Sequence, residues 1–194
     1  MPFTQMMLNQ NVASYENLQI ITTGQTVTVT GNNTSSVSFF KTASSAGWDT
    51  QAYCPTPFTA PCTIEYYKNA QSSDGGLAYA MMSWNADPTT DASYSSLDWA
   101  SYPYAYTGGY QIYNNGTYIA ASVTSFNVNT KFYTVYHTNG YIYHWNGSTL
   151  MYSVNKGTGG TVYMDTALYS VSATYSGFSD VRIIKQQWDG NAYR

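Results

Sequence analysis

The sequence predicts an all-β fold in which two antiparallel sheets pack face to face. Short runs rich in Tyr, Val, Ile and Trp recur along the 194 residues, and Gly, Pro, Asn and Ser, which favour turns, separate them. No segment repeats apolar residues at the roughly 3.6-residue spacing of a helix over three turns. About a dozen such runs, with turns roughly every 8 to 12 residues, are typical of a two-sheet β-sandwich.

The segment 132–154 carries the strongest pattern, because two turns separate three aromatic and aliphatic runs. Asn139-Gly140 and Asn146-Gly147 suit tight hairpin turns, since Asn and Gly tolerate the positive φ angles that such turns require. Alternation along the middle run, 141–145, places Tyr and Trp on one face and Ile and His on the other. The segment is therefore predicted to be a three-stranded antiparallel meander.

Further strands are predicted on both sides of this meander. Each is a β-branched or aromatic run that ends at turn residues, such as Thr23-Gly24. The run 77–84 is apolar almost throughout, which predicts a central strand covered on both faces. The predicted strands outside the meander are 18–22, 26–30, 37–40, 48–53, 63–68, 77–84 and 94–99, the last followed by an aromatic-rich exit at 102–106, then a hairpin at 110–119, and then 126–128, 162–166, 173–178 and 181–185.

The first 17 residues are polar and show no clear period. We expect residues 1–17 to form an N-terminal arm that docks on a neighbour or packs late on the body, or simply to be a frayed end. The remaining chain, 18–194, is long enough to bury roughly 70% of the surface that its unfolded form would expose. It is predicted to be a single jelly-roll β-sandwich domain.

Cys54 and Cys62 flank a segment with three prolines, which forbid regular strand pairing and predict an extended loop. The two cysteines either form a disulfide that closes a small ring or remain free and half-buried. A metal site is not expected, because there is one pair and no further cysteines of zinc-binding type.

The low charge limits the classes of partner. Charged residues make up 9% of the chain, the net charge is -3, and seven Lys and Arg are scattered, so no basic patch for nucleic acid is expected. No apolar run approaches the roughly 20 residues needed to cross a bilayer, so membrane insertion is not expected either. The N-terminus has no signal-peptide pattern, whereas the Ser-, Thr-, Asn- and Tyr-rich composition is typical of extracellular proteins. Synthesis in a cytosol followed by exit inside a particle would explain both the missing signal-peptide pattern and the extracellular type of composition.

Five segments carry a family resemblance and follow one another in the expected order. They are WDTQAY at 48–53, MSWNADP at 82–88, YSSLDW at 94–99, IYNNG at 112–116 and the hairpin at 136–150. Together they resemble concanavalin A-like, laminin G-like jelly rolls, and more narrowly the version found in virus surface, fibre and capsid-associated proteins. The resemblance covers about residues 37–185. It implies a sandwich about as large as this chain, often oligomeric or embedded in a particle, that holds glycans or neighbouring proteins.

An enzymatic function is not expected. The resemblance includes glucanases whose catalytic carboxylates follow a Glu-x-Asp-x-Glu pattern on one strand, where alternation sets the spacing needed for glycoside cleavage. This chain has only Glu16 and Glu65, which lie far apart. His137 and His144 flank a turn but lack a third metal ligand, and their expected role is cross-strand packing at the sheet surface.

Asp87, Asp91 and Asp98 form the one local acidic cluster. Their oxygens would suit calcium or sugar hydroxyls, but capping of turns and of backbone amides is the favoured interpretation. Aromatic residues are the stronger candidates, since their rings stack on the apolar faces of sugars, although most must serve cross-strand packing or subunit contacts. The candidate ligand- or partner-binding residues are Trp84, Trp99, Tyr102, Tyr104, Tyr106, Tyr113, Tyr143, Trp145, Asp87, Asp91 and Asp98.

These observations together predict a non-enzymatic surface component of a virion, namely a minor capsid, fibre or spike protein with a lectin-like fold. It would be made in the host cytoplasm, assemble as a homo-oligomer, contact other virion proteins and bind host glycans. No metal and no cofactor is expected. The alternative is a stand-alone carbohydrate-binding module, and a third possibility is a divergent glycosidase.

Overall fold

The computed structural model of the protein describes residues 14–42, 47–68, 79–104, 109–122, 126–169 and 176–194. Within these ranges the chain forms two antiparallel sheets of seven strands each, as the sequence predicts. The strands are β1 (Ile21–Gly24), β2 (Val27–Thr30), β3 (Val37–Lys41), β4 (Thr50–Tyr53), β5 (Cys62–Tyr67), β6 (Ala80–Asn85), β7 (Trp99–Tyr104), β8 (Gly109–Asn114), β9 (Thr117–Ser122), β10 (Lys131–Tyr136), β11 (Tyr141–Asn146), β12 (Thr149–Asn155), β13 (Tyr163–Leu168) and β14 (Gly177–Ile184).

The strand order shows how the chain alternates between the sheets. The first sheet has the order β1-β4-β13-β6-β7-β8-β9, and the second has the order β12-β11-β10-β5-β14-β3-β2. The meander predicted at 132–154 is confirmed as β10, β11 and β12, and the central strand predicted within 77–84 is confirmed as β6, buried at every position. Residues 77–78 lie outside the described ranges.

Aromatic side chains fill the space between the sheets. Phe132 of the second sheet stacks between Tyr66 and Tyr110, with ring centroids 5.7 and 5.5 Å away. Trp84 of the first sheet is fully buried, and its indole Nε1 donates a 2.9 Å hydrogen bond to the Thr134 carbonyl of the second. Because each such ring buries roughly 150–250 Å² of surface, these contacts dominate the cohesion of the two sheets.

Each Asn-Gly dipeptide lies at a turn, but at 146–147 Asn146 is the last residue of β11 and pairs with Thr149, so Gly147 and Ser148 form that turn. Asn115 and Gly116 both have positive φ, 47° and 67°, and close the β8–β9 hairpin with two residues. A side chain at Gly116 would also collide with the backbone of Ser95, since an added Cβ would lie 2.5 Å from its Cα. This hairpin therefore packs directly on the connection between β6 and β7.

That connection contradicts one predicted strand. The prediction of a strand at 94–99 is wrong, because Tyr94–Ser96 form a short 3-10 helix and β7 begins at Trp99. The Ser93 hydroxyl caps this helix by accepting from the Ser95 amide, and the Asp91 carboxylate accepts from the Ser93 amide at 2.8 Å. Local side-chain acceptors of this kind compete with strand pairing.

Three further predictions need correction. Residues 126–128 are not a strand, since the Thr130 amide donates to the Asn127 carbonyl and closes a turn. The strands predicted at 173–178 and 181–185 are one strand, β14, whose pairing is irregular between Phe178 and Val181, where Asp180 has a φ of 48°. Residues 173–175 lie outside the described ranges.

The third correction concerns His144. The prediction that it packs at the sheet surface is wrong. It is fully buried on the inner face of β11, and burial lowers the pKa of its imidazole to about 3. Neither ring nitrogen has a hydrogen-bond partner among the described residues. The side chain is therefore held neutral inside the sandwich.

The N-terminal segment contacts the second sheet where it is described. The Glu16 amide donates to the Ile183 carbonyl at 2.8 Å, and Tyr15 forms an isolated bridge with Ile184. The arm predicted at 1–17, and the boundary at residue 18, remain predictions, since 1–13 are outside the described ranges. No helix in the described part of the chain is long and apolar enough to cross a membrane.

Candidate functional site

The candidate site lies on the outer face of the first sheet. Alternation along β6 turns Ala80, Met82 and Trp84 toward the core between the sheets and leaves Met81 outside it. Met81 instead joins a second apolar cluster with Tyr102 of β7 and neighbouring residues. Aromatic side chains cover this second cluster from several parts of the chain.

These side chains enclose an open cavity of about 380 Å³, which we call the first-sheet groove. Its lining comes from three strands, β6, β7 and β8, from the end of β13 and from the connections before β4, before β6 and before β7. Its lining residues are Trp48, Tyr79, Met81, Tyr94, Tyr102, Gln111, Tyr113 and Tyr169.

Trp48 is the centre of the ring contacts in the groove. Its indole lies 5.3 Å from the Tyr94 ring, 5.7 Å from the Tyr102 ring and 5.2 Å from the Tyr169 ring, measured between centroids. Tyr113 extends the cluster along β8, 5.9 Å from Tyr94. Tyr102 is buried and forms part of the floor, whereas the other rings named here are partly exposed. The rings thus hold one another in place and still present surface to solvent.

The groove combines apolar faces with uncharged polar atoms. None of the described residues that line it carries a charge at neutral pH. Gln111 contributes an amide, whose oxygen accepts a 3.3 Å hydrogen bond from the Tyr113 hydroxyl. Stacking surfaces beside hydroxyl and amide groups suit a neutral ligand that has both apolar faces and hydroxyls.

A buried ammonium positions two of the groove aromatics. The side chain of Lys41 is fully buried, and its Nζ donates to the Gly47 carbonyl at 3.0 Å and to the Tyr169 carbonyl at 3.3 Å. It also pairs with the Asp49 carboxylate at 2.7 Å. Because Trp48 lies between Gly47 and Asp49, this one cation ties Trp48 and Tyr169 to each other.

A buried hydrogen-bond network lies on the same sheet face. Asp165 is fully buried, and its carboxylate accepts from Gln51 Nε2, from Asn85 Nδ2 and from the Thr166 amide, each at 2.7 Å. Burial raises the pKa of Asp165 well above its usual value, while the hydrogen bonds from Gln51 and Thr166 oppose that rise. Its oxygens thus connect β4, β6 and β13.

The same network fixes the connection between β6 and β7. Gln51 Nε2 donates to the Pro88 carbonyl at 2.7 Å, and Asn85 Nδ2 donates to the Ser96 carbonyl at 3.2 Å. Asn85 Oδ1 accepts from the Asp98 amide at 2.9 Å. These bonds hold the segment that presents Tyr94 to the groove.

The acidic residues of the cluster cap turns and backbone amides. Asp87 accepts from the Thr89 hydroxyl and amide, and these hydrogen bonds lower its pKa. The Asp98 carboxylate accepts from the Ala86 amide at 2.7 Å. No group of three His, Cys, Asp or Glu among the described residues could hold a metal ion. Asp87 also borders a separate cavity of about 440 Å³ between Tyr53 and Tyr163.

The structure divides the candidate aromatics among three places. Tyr102 and Tyr113 line the first-sheet groove, whereas Trp84 is sealed in the core and out of reach of a ligand. Trp99 faces the core, with Lys156 Nζ 5.5 Å from its ring. The remaining candidates are Tyr143 and Trp145, which lie on the second sheet, and Tyr104 and Tyr106, of which the Tyr104 side chain and the whole of Tyr106 lie outside what the structure describes.

Four lining aromatics were missed by the sequence reasoning, namely Trp48, Tyr79, Tyr94 and Tyr169. Alternation could have placed Tyr79 on the face of Met81, since the two are separated by one residue. Nothing in the sequence places Tyr169 beside Trp48, because their contact depends on the pairing of β13 with β4 and on Lys41.

The two cysteines are free. Of the two alternatives left open by the sequence, the structure shows thiols, and both are fully buried rather than half-buried. Burial raises the pKa of both thiols, so neither is a ready thiolate.

Comparison with protein-family models and with curated proteins found no match. Solved structures are similar in fold. One is a Bacillus subtilis protein described as having a galectin-like fold, with a TM-score of 0.57 and 10% identity over 89% of this chain and 94% of that one. Another is the carbohydrate recognition domain of Emp46p, with a TM-score of 0.55 and 10% identity over 86% and 87%. A third is arcelin-5, a lectin-like defence protein of Phaseolus vulgaris, with a TM-score of 0.51 and 11% identity over 89% and 96%.

At such low identity these similarities establish the fold alone. They confirm the predicted two-sheet sandwich and its likeness to concanavalin A-like jelly rolls. They do not tie the chain to viral surface proteins, so that part of the resemblance has no support from them. The chain therefore has a galectin-like and concanavalin A-like, lectin-type jelly-roll fold.

Proposed function

We propose that this protein is a non-catalytic carbohydrate-binding module that holds neutral glycans in the first-sheet groove. The observation that carries the proposal is the groove itself, in which Trp48 and several tyrosines form a partly exposed, uncharged surface. This was the alternative to the virion role in the sequence analysis. It is favoured here because it depends on the geometry of this chain.

The physical basis is the two-sided chemistry of a sugar ring. Its C–H face packs on an aromatic ring while its hydroxyls exchange hydrogen bonds with groups such as the Gln111 amide and the tyrosine hydroxyls. At about 25 cal/mol per Å², covering roughly 60 Å² of ring surface contributes about 1.5 kcal/mol per sugar. Two or three stacked sugars therefore contribute about 3 to 4.5 kcal/mol, which corresponds to a dissociation constant in the roughly millimolar range.

Two of the similar structures support this ligand class. Emp46p is represented by a carbohydrate recognition domain, and VIP36 by a domain bound to calcium and Man3GlcNAc, with a TM-score of 0.50. In this chain the groove is lined by aromatic rings and uncharged polar groups. The proposal therefore relies on aromatic stacking rather than on a bound ion.

The virion role, the virion location and the homo-oligomer remain predictions, based on the family resemblance, the N-terminus without a signal-peptide pattern and the low charge. A binding module of this kind would serve equally on a particle surface or as a separate protein. We keep glycan binding as the proposal, because the groove gives it a site.

The test is calorimetry with neutral tetrasaccharides of glucose, mannose, galactose and N-acetylglucosamine. At least one should bind, and Tyr94→Ala should weaken that binding at least tenfold, since Tyr94 closes one side of the groove. Tyr152→Ala is the matched control, because Tyr152 is 39% exposed on β12 and does not line the groove. Equal losses in both variants, or binding unaffected by Tyr94→Ala, would contradict the groove as the site.

A further inference from the structure

A second cavity lies on the outer face of the second sheet. It has a volume of about 260 Å³, and we call it the strap cleft. Its lining residues are His137, Tyr143, Trp145, Leu150, Trp188 and Asp189. We infer that the strap cleft is a second glycan site, so that one chain binds two separate glycans. This inference takes its ligand class from the proposed function.

One wall of the cleft comes from the β11–β12 hairpin. Alternation along β11 buries Ile142 and His144 in the core and turns Tyr143 and Trp145 outward, where both are partly exposed. Leu150, which pairs with Trp145 across the hairpin, is 45% exposed. This wall is a continuous aromatic and aliphatic surface that no described residue covers completely.

The other wall comes from residues 185–194, the segment after β14, which runs across the outer face of the second sheet and which we call the strap. Trp188 stacks on Tyr133 of β10 with ring centroids 4.4 Å apart and planes 11° from parallel. Its Nε1 donates to the Gly147 carbonyl at 3.3 Å. Gly190 lies so close to Trp145 that an added Cβ would be 2.6 Å from the indole. The strap is thus held at a fixed distance from the hairpin.

The charges at the cleft are compensated. Asp189 pairs with the Arg194 guanidinium and accepts from the Asn191 and Ala192 amides, which lower its pKa to about 2. The carboxylate is therefore ionised and already paired, so the cleft offers no uncompensated charge to a charged ligand. A neutral ligand fits this balance better than an amine or a phosphate.

Polar groups for such a ligand are present beside the rings. Trp145 Nε1 is buried and has no acceptor among the described residues. The Tyr143 hydroxyl accepts from Asn139 Nδ2 at 2.9 Å, so its own hydrogen remains available to donate. His137 Nδ1 accepts from the Asn139 amide at 3.1 Å, which leaves Nε2 on the other side of the ring. Donors next to stacking surfaces match the oxygen atoms of a sugar.

The two sites lie on opposite faces of the sandwich. The groove is on the outer face of the first sheet and the cleft is on the outer face of the second, with the whole core between them. One short glycan cannot reach both. A single chain with both sites occupied would therefore bridge two glycan chains and gain avidity on a surface that displays many of them.

Indole N–H resonances give a separate reporter for each site. The titration uses ¹⁵N-labelled full-length protein and the same four neutral tetrasaccharides, with signals assigned through Trp48→Phe and Trp145→Phe. The Trp145 signal should shift on addition of a tetrasaccharide and should still shift in the Tyr94→Ala variant. Leu150→Ala should raise the dissociation constant measured at Trp145 at least threefold and leave the value measured at Trp48 unchanged. The buried Trp84 signal reports whether each variant remains folded.

The outcomes separate the two proposals. A shift at Trp48 alone would overturn the second site and leave the proposed function standing. A shift at Trp145 alone would overturn the groove as a binding site and support the cleft. No shift at either position with any of the four sugars would overturn both.

Discussion

The two outer faces of this sandwich are built in different ways, although both end as aromatic cavities. On the first sheet, buried polar groups such as Asp165 and Lys41 hold the segments that carry the groove aromatics. On the second sheet, the cleft depends on the strap, which is held by the stack of Trp188 on Tyr133, by hydrogen bonds with buried Thr63 and by the Tyr193 hydroxyl, which donates to buried Glu65. The groove is thus supported by side chains of its own sheet, whereas one wall of the cleft is a segment laid over the sheet. Loss of a supporting group should therefore cost more stability at the groove than at the cleft.

The largest expected effect is at Asp165. Asp165→Ala leaves the buried amides of Gln51 and Asn85 without their acceptor, so we expect a loss of about 3–5 kcal/mol in the free energy of unfolding, measured with denaturant. Binding at the groove should be lost as well, since the segment with Tyr94 is released. Asp87→Ala, at an exposed turn, is the control and should change little. An Asp165→Ala variant as stable as the wild type would show that the network does not stabilise the fold.

The next effect concerns pH and the core behind the cleft. His144 has a pKa of about 3 in the folded protein, against 6.5 when exposed. Below pH 6.5 the unfolded chain takes up a proton that the folded chain does not, so stability falls as the pH falls from 6.5 toward 3. At pH 4.5 the expected cost is about 2.7 kcal/mol, at about 1.36 kcal/mol per pH unit.

The variant His144→Leu isolates this contribution, because Leu cannot titrate. Denaturant unfolding at pH 7 and pH 4.5 should show a smaller loss in this variant than in the wild type. His137→Leu is the matched control, since it removes the other, partly exposed histidine and leaves His144 in place. An identical pH dependence in all three proteins would mean that His144 is not held neutral by the fold.

A smaller effect is expected at Lys41. Lys41→Met keeps the aliphatic volume but removes the donor to the Gly47 and Tyr169 carbonyls, so we expect a loss of about 2 kcal/mol. The remaining Asp49 is 44% exposed and stays solvated, which keeps the cost moderate. Groove affinity should fall several-fold while cleft affinity stays the same, as measured by the two indole signals. Equal losses at both sites would show that Lys41 acts on the fold as a whole.

The smallest effect on stability is expected at Trp188. Trp188→Ala removes the stack on Tyr133 and one wall of the cleft, at a cost of about 1.5 kcal/mol because the ring is partly exposed. Binding at the cleft should disappear and binding at the groove should persist, as followed at Trp145 and Trp48. If groove binding were also lost, the two faces would not be independent.

The sequence could predict much of the fold because the relevant signals are local. Alternation along β11 and the Asn-Gly turns are readable within a few residues, and both were confirmed. The strand predicted at 94–99 failed for an equally local reason, since the side chains of Asp91 and Ser93 accept hydrogen bonds from nearby amides and stabilise a 3-10 turn instead. Strand composition does not reveal that competition.

The candidate site was less accessible to prediction because it is assembled from distant segments. Tyr102 and Tyr113 were recognised as candidates from their aromatic context, but Trp48 and Tyr169 meet only through strand order and through the buried Lys41. Trp84 was chosen for the same aromatic context and proved to be a core residue. Ring type can be read from a sequence, whereas the face and the neighbours of each ring follow from sheet topology.

The most direct test of the central claim is the set of intermolecular nuclear Overhauser effects between a bound neutral tetrasaccharide and aromatic ring protons. This account predicts contacts from sugar ring protons to Trp48 and Tyr94, which lie 5.3 Å apart at the groove. Contacts confined to other parts of the surface, with none to these two rings, would contradict it.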